Sequence, residues 1–235
     1  MLDPLTELLG KIESDAAGRG FEPFCIFVGD FVDRGPDSAG VIRRVRELTE
    51  AGKGAAVLGN HDEMFLQTLA LNRPELVGTV PIPAAEITGE MMLRHWITQG
   101  GDATLASYGL EPTPARSWSF PKDDIRFLES LPLYWENEAL VVTHALPSRD
   151  ALNRARRPEG YQLPEVRHEL LWRREEPTEP PDPQRLHLSG HTPLRNAVFH
   201  ESIQAVQLDT ACVYGFALSA YAVETGELLS VGCHM

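Results

Sequence analysis

The chain has 235 residues, 43% of them hydrophobic and 23% charged, enough for one domain with a sizeable core. A formal net charge of -13 argues against a protein that holds nucleic acid on a broad basic surface. No apolar run approaches the roughly 18 residues of a transmembrane helix, so no membrane partner is expected.

Leu2, Leu5, Leu8, Leu9 and Ile12 recur at helical spacing and predict a helix over 4–17, ended by Gly18 and Gly20. The segment MLDPLTELLGKIESD has neither a basic start nor a long apolar centre, so it does not read as a signal peptide. Phe24-Cys25-Ile26-Phe27-Val28 is apolar without alternation, the pattern of a strand buried on both faces. Gly29-Asp30 follows, then Arg34-Gly35-Pro36-Asp37, dense in turn residues, with Ser38 as the cap of a helix over 38–51. A strand over 55–58 and a helix over 61–71 continue the alternation, which predicts a parallel sheet covered by helices. Residues 72–135 read as a helical insertion over the sheet edge, with helices around 86–98 and 122–131. From residue 139 strands dominate, at 139–143, 186–189, 205–208, 217–223 and 228–231. The stretch 146–185 is rich in Pro, Arg and Glu and is expected as a long surface loop. Cys25, Cys212 and Cys233 lie far apart with no C-x-x-C, so they are expected as buried thiols in a cytoplasmic protein. A single domain over 1–235 accounts for the whole pattern.

The chemistry sits where strands end. Asp30 and Asp33 follow the first apolar strand, and Val57-Leu58-Gly59-Asn60-His61-Asp62 sets Asn60 and His61 after the second. Leu140-Val141-Val142-Thr143-His144 ends on His144, and Leu186-His187-Leu188-Ser189-Gly190-His191 ends on His191. In open α/β sheets, ligands bind outside the carboxyl ends of the strands. Asp, Asn and His are oxygen and nitrogen donors that suit manganese, iron(II) or zinc better than calcium or a thiolate-bound metal. Turn chemistry accounts for a lone Gly-Asp, and a core or surface position for a lone histidine; four strand ends with the same logic need another explanation. His95, His168, His187, His200 and His234 read as structural or surface residues, with His187 on the same strand face as His191.

The motifs GDFVDRG (29–35), GNHD (59–62), VVTHA (141–145) and LSGHT (188–192) stand in an order that resembles the serine/threonine-phosphatase-type metallophosphoesterases of the calcineurin-like superfamily. LDTACVYGFALSAYAVETGEL (208–228) is similar to the closing strands of the short bacterial-type members. The resemblance implies a calcineurin-like α/β fold of two sheets flanked by helices. It also implies two divalent metal ions, manganese foremost, with iron(II) or zinc as alternatives. By position, Asp30 would bridge both metals, and Asn60, His144 and His191 would complete the second metal's protein ligands. His61 would be the general acid that protonates the leaving oxygen, and Asp33 would hold and polarise its ring. Arg34 would grip phosphate oxygens through its fork. Arg173 looks like the subgroup's second phosphate-binding arginine; its other reading is a solvated charge beside Arg174. Tyr214 reads either as a pocket wall or as packing.

The chain departs from the family pattern at several points. Asp62 stands where the family has glutamate, and Leu146 and Ala211 stand where it has glycine. The opening GDxHG motif and its strand are absent. The expectation is therefore a truncated chain with an incomplete first metal site and weak activity. The leading functional expectation is a phosphomonoesterase acting on phosphoproteins, a protein serine/threonine phosphatase. The alternative is a symmetrical diadenosine-tetraphosphate hydrolase, and a third reading is a non-catalytic phosphate-binding protein. The expected partner is a phosphoprotein or a nucleotide phosphate.

Overall fold

A computed structural model describes residues 1–82 and 86–233. The chain opens with helix α1 (Leu2–Arg19), which buries Leu5, Leu8 and Leu9 and ends on Gly20 in the left-handed conformation. Strand β1 (Cys25–Phe27) pairs in parallel with β2 (Gly54–Ala56), Ile26 opposite Ala55. Helix α2 (Ser38–Glu50) makes the crossover between them. Asp37, not Ser38, caps α2, its Oδ1 accepting from Gly40 N at 2.7 Å. Ser38 is already the first helical residue, and its hydroxyl lies 3.3 Å from Thr104 Oγ1. After β2 the chain turns into α3 (Asn60–Asn72).

β1 is half-buried rather than buried on both faces, and Phe24 beside it is 53% exposed. Among the described residues, β1 has a strand neighbour on one edge only, so its other edge lacks the cover that the apolar run predicts.

The insertion contains α4 (Gly89–Trp96), a π turn over Ile97–Gly101, α5 (Asp102–Ser107) and α6 (Lys122–Ser130). These helices and α3 enclose an aromatic cluster in which Phe65 stacks on Trp96 at 5.2 Å and meets Phe120 edge-on at 5.2 Å. The cluster holds the insertion rigidly over the loop that follows β1.

The second half is built on a five-stranded sheet of β3 (Tyr134–Glu136), β4 (Leu140–Thr143), β5 (Leu186–Ser189), β6 (Val198–His200) and β7 (Ala205–Gln207). The order is β3-β4-β5-β7-β6, with β4, β5 and β7 parallel and the two edges antiparallel. A closing hairpin, β8 (Ala217–Ala222) and β9 (Glu227–Gly232), packs against α1. The described residues thus form a parallel pair, a mixed sheet and a hairpin instead of two sheets. The small apolar core of Val57, Val142, Leu188 and Val206 joins them.

The stretch 146–185 is not one loop. It holds α7 (Arg149–Ala155) and α8 (Pro164–Trp172), which pack on each other. α7 buries Ala151, Leu152 and Ala155, and α8 buries Val166, Leu170 and Leu171. Ser148 caps α7, and Pro164 sits at the start of α8, where its missing N–H costs nothing.

The cysteines also differ from expectation. Cys212 and Cys233 are joined in a disulfide, and only Cys25 is free. The hairpin brings them together: it returns Cys233 beside its own start, where Cys233 N donates to Phe216 O. The thiol argument for a reducing compartment therefore does not stand. No helix among the described residues is long and apolar enough to cross a membrane.

Candidate active site

The site lies where β1, β2, β4 and β5 end. The loop after β1 is folded in an unusual backbone: Asp30, Asp33 and Arg34 have φ of 59°, 72° and 62°, and His191 across the site has 65°. Left-handed backbone is costly for residues with a Cβ, so surrounding contacts must fix it. The brace is Asp62, in the first turn of α3. Its carboxylate accepts from Asp30 N, Phe31 N and Gly59 N, each at 2.9 Å, and the residue is fully buried. Two glycines permit the approach. A Cβ on Gly59 would meet Asp30 N and Oδ1 at 2.2 Å, and one on Gly29 would meet Gly59 at 2.7 Å.

These contacts gather four side chains. His144 Nδ1 donates to Val28 O at 2.7 Å, which leaves its Nε2 with a lone pair. That Nε2 is 2.9 Å from Asn60 Oδ1, 3.4 Å from Asp30 Oδ2 and 3.2 Å from His191 Nδ1. His191 Nδ1 is itself 3.0 Å from Asn60 Oδ1, and its buried Nε2 has no hydrogen-bond partner among the described residues. Burial, reinforced by His144, lowers the His191 pKa to about 4, so the ring is neutral at physiological pH. Burial would raise the Asp30 pKa, but the charges of His144 and His61 outweigh it and hold the group below its ordinary value. Two imidazoles, an amide oxygen and a carboxylate converging on one focus form a donor set that fits a divalent cation.

His61 stands on the other side of Asp30, with its backbone N–H donating to Asp30 Oδ1 at 2.9 Å. Its Nδ1 meets Asp33 Oδ2 at 2.6 Å. Burial disfavours the charged ring, but the Asp33 hydrogen bond and the charges of Asp30 and Asp33 outweigh it, so the His61 pKa is raised. The imidazolium form is the one that can donate a proton from Nε2.

Asp33 has supports that the sequence did not disclose. Trp96 Nε1 donates to its Oδ1 at 2.9 Å, Thr104 Oγ1 donates to the same oxygen at 2.8 Å, and the Asp33 N–H returns a bond to Thr104 Oγ1. Both residues come from the insertion. Neither belongs to a motif, and an apolar helical face containing Trp96 reads as core from sequence alone.

The structure brings Asp30, Asp33, Asn60, His61, His144 and His191 together. Arg34 lies at their rim, held by its N–H to Gly100 O at 3.0 Å, with its guanidinium 5.7 Å from the centre of the Tyr214 ring. Arg173 is not gathered in. Its guanidinium bonds both Glu169 oxygens, at 2.7 and 2.9 Å, and Glu175 O at 2.8 Å, because Glu169 lies one helical turn before it. Tyr214 is 49% exposed beside Arg34, so it is not packing. His187 is fully buried on Thr143 Oγ1, as a structural residue, and His234 lies outside the described residues.

A layered α/β frame with oxygen and nitrogen donors at its strand ends, beside a histidine–aspartate pair, defines a metallophosphoesterase. The chain belongs to the calcineurin-like phosphoesterase family, whose profile matches residues 2–216. Among curated proteins, a symmetrical bis(5'-nucleosyl)-tetraphosphatase from Ralstonia nicotianae is 48% identical over 67 residues, 28% of this chain and 21% of that protein. The asymmetrical bis(5'-nucleosyl)-tetraphosphatase PrpE of Bacillus velezensis is 26% identical over 89% of this chain and 78% of its own length. A solved structure of a candidate diadenosine tetraphosphatase shares the fold, with a TM-score of 0.52 and 22% identity over 97% of this chain and 89% of that one.

Proposed function

We propose that this chain hydrolyses bis(5'-nucleosyl) tetraphosphates with divalent cations bound at the strand-end focus. Asp30, Asn60, His144 and His191 would hold a cation, and Asp30 would be the group shared with a second. Manganese suits this mixed donor set, with iron(II) or zinc as alternatives. Such cations supply Lewis acidity and neutralise phosphate charge. The chain's own groups do the rest. Arg34 binds phosphate oxygens at the rim. His61 delivers a proton from Nε2 to the departing oxygen. Asp33 fixes the ring through Nδ1, and Trp96 and Thr104 fix Asp33.

The observation that carries the hydrolytic reading is the 2.6 Å contact between His61 and Asp33, one residue along from Asn60, with His61 N–H bonded to Asp30. It joins an acid to the cation focus in a single rigid unit. The substrate class follows the relatives, whose names concern nucleosyl tetraphosphates. The phosphoprotein-phosphatase reading that led the sequence expectations has no specific observation in its favour.

The test is a turnover panel with the manganese-supplemented chain, comparing diadenosine tetraphosphate with phosphoserine peptides by kcat/KM. Preference for the dinucleotide is expected. ADP as sole product marks symmetrical cleavage, and ATP with AMP marks asymmetrical cleavage. Preference for the peptides would overturn the proposal.

A further inference from the structure

Beside the cation focus, the loop over 209–216 carries two aromatic rings in solvent. Tyr214 is 49% exposed and Phe216 is 43% exposed, whereas Trp96, Trp118 and Phe65 are fully buried. Each exposed ring lies against a guanidinium, with Arg34 Cζ 5.7 Å from the Tyr214 centroid and Arg195 Cζ 5.3 Å from that of Phe216. The loop is tied to the site. Asp209, at its start, accepts from Ala211 N through its side chain and from Leu194 N through its carbonyl, so the segment that bears Arg195 is fastened to it. Among the described residues, neither the Arg34 nor the Arg195 guanidinium forms an ion pair with a carboxylate, in a chain with 34 acidic and 21 basic residues.

We propose that Tyr214, Phe216, Arg34 and Arg195 form a stacking ledge that binds the nucleobase and outer phosphates of a nucleoside polyphosphate. This rests on the nucleotide reading above and deepens it. Aromatic rings accept the face of any base, and a guanidinium can keep its plane on a ring while its N–H fork reaches phosphate. The charge distribution points the same way. The large cavity of about 690 Å³ between α3, α7 and α8 is lined by Glu63, Asp150, Glu165 and Glu169 against Arg154 and Arg167, a net-acidic wall that repels a polyphosphate. The ledge presents it with two guanidiniums that, among the described residues, form no ion pair with a carboxylate.

The experiment is calorimetric titration of the manganese-supplemented chain with ADP and, separately, with inorganic pyrophosphate. Stacking of one base is expected to make ADP bind about tenfold more tightly than pyrophosphate. Tyr214→Ala combined with Phe216→Ala should abolish that advantage, and Tyr214→Trp should keep it. Arg195→Gln should weaken both ligands by a similar factor. The proposal is overturned if wild-type protein shows no ADP advantage, or if the double alanine variant retains it. The underlying reading fails separately. An ADP advantage that depends on the two rings, in a protein that prefers phosphoserine peptides, leaves the ledge standing and refutes the proposed substrate. Dinucleotide turnover without an ADP advantage does the reverse.

Discussion

Replacing Asp62 by asparagine tests how the strained loop is held. The carboxylate accepts three backbone N–H bonds in a fully buried place: Oδ2 serves Asp30 and Gly59, and Oδ1 serves Phe31. The amide has one oxygen. Turned to keep the two bonds at Oδ2, it presents its own N–H₂ group to the Phe31 N–H, and one buried donor is orphaned at about 1–3 kcal/mol. The two bonds that survive lose charge assistance, at about 1 kcal/mol each. One effect opposes the loss. Burial and the charge on Asp30 push the Asp62 pKa up to about 7, so removing the charge relieves repulsion. The three donors favour the ionised form, and none of them could accept a proton from a carboxylic acid. The net expectation for Asp62→Asn is a loss of about 2–4 kcal/mol, a large share of a domain stability of roughly 5–15 kcal/mol. Urea unfolding at pH 7 reads it as a midpoint lowered by about 1 M or more. Turnover should fall as well, since the orphaned N–H belongs to Phe31, next to Asp30, and the Asp30 N–H bond is weakened. An unchanged midpoint would mean that the carboxyl is already protonated, and the brace argument would be wrong.

Three further outcomes are expected. His61→Asn should keep metal binding and lower turnover about 10²–10⁴-fold, most on alkyl phosphates, whose leaving oxygens are strong bases; equal rates on phosphoserine would remove His61 from proton delivery. Asp30→Asn should cost more bound metal than His144→Asn, because the Asp30 carboxylate is the group proposed to serve two cations; elemental analysis of both purified variants checks the ranking, and full occupancy in the Asp30 variant contradicts it. His187 is buried, its Nδ1 has no partner among the described residues, and burial lowers its pKa to about 3. A histidine with a depressed folded pKa adds stability above its unfolded value of about 6.5 and loses it as pH falls from there toward 3, by about 1.4 kcal/mol per unit. His187→Leu should therefore lose about 2 kcal/mol less than wild type between pH 7 and pH 5; equal losses in urea midpoints would place the acid sensitivity elsewhere.

Which parts of this site could be read from sequence depends on where each group's partners come from. Asp30, Asn60, His61, His144 and His191 each follow an apolar strand, and glycine directly precedes Asp30, Asn60 and His191. A strand end fixes a side chain's place using only a few neighbours in the chain, so the local pattern carries the information. The bridge from Asp33 to Trp96 and Thr104 spans 63 and 71 residues and uses a tryptophan and a threonine in an ordinary helical context. Nothing local marks it. The same division explains α7 and α8. Their buried Ala151, Leu152, Ala155, Val166, Leu170 and Leu171 have helical spacing, but each helix is short and lies among Pro, Arg and Glu, so tertiary packing decides its conformation. Cys212 and Cys233 pair because a hairpin returns one to the other, and their separation of 21 residues alone carries no such statement. The candidate site groups were legible because they stand on strand ends, whereas the groups that hold them are long-range. Conversion of Trp96 to phenylalanine probes the second kind of information: it keeps a ring against Phe65 and removes the N–H to Asp33, along with part of a fully buried ring system. Stability should fall by about 2–4 kcal/mol from the lost hydrogen bond and the space left in the core, while His61 loses part of its orientation. The expected readout is a lower kcat with KM nearly unchanged. A variant with wild-type kcat would show that Thr104 alone holds Asp33 and that the insertion contributes packing, not catalytic alignment, through Trp96.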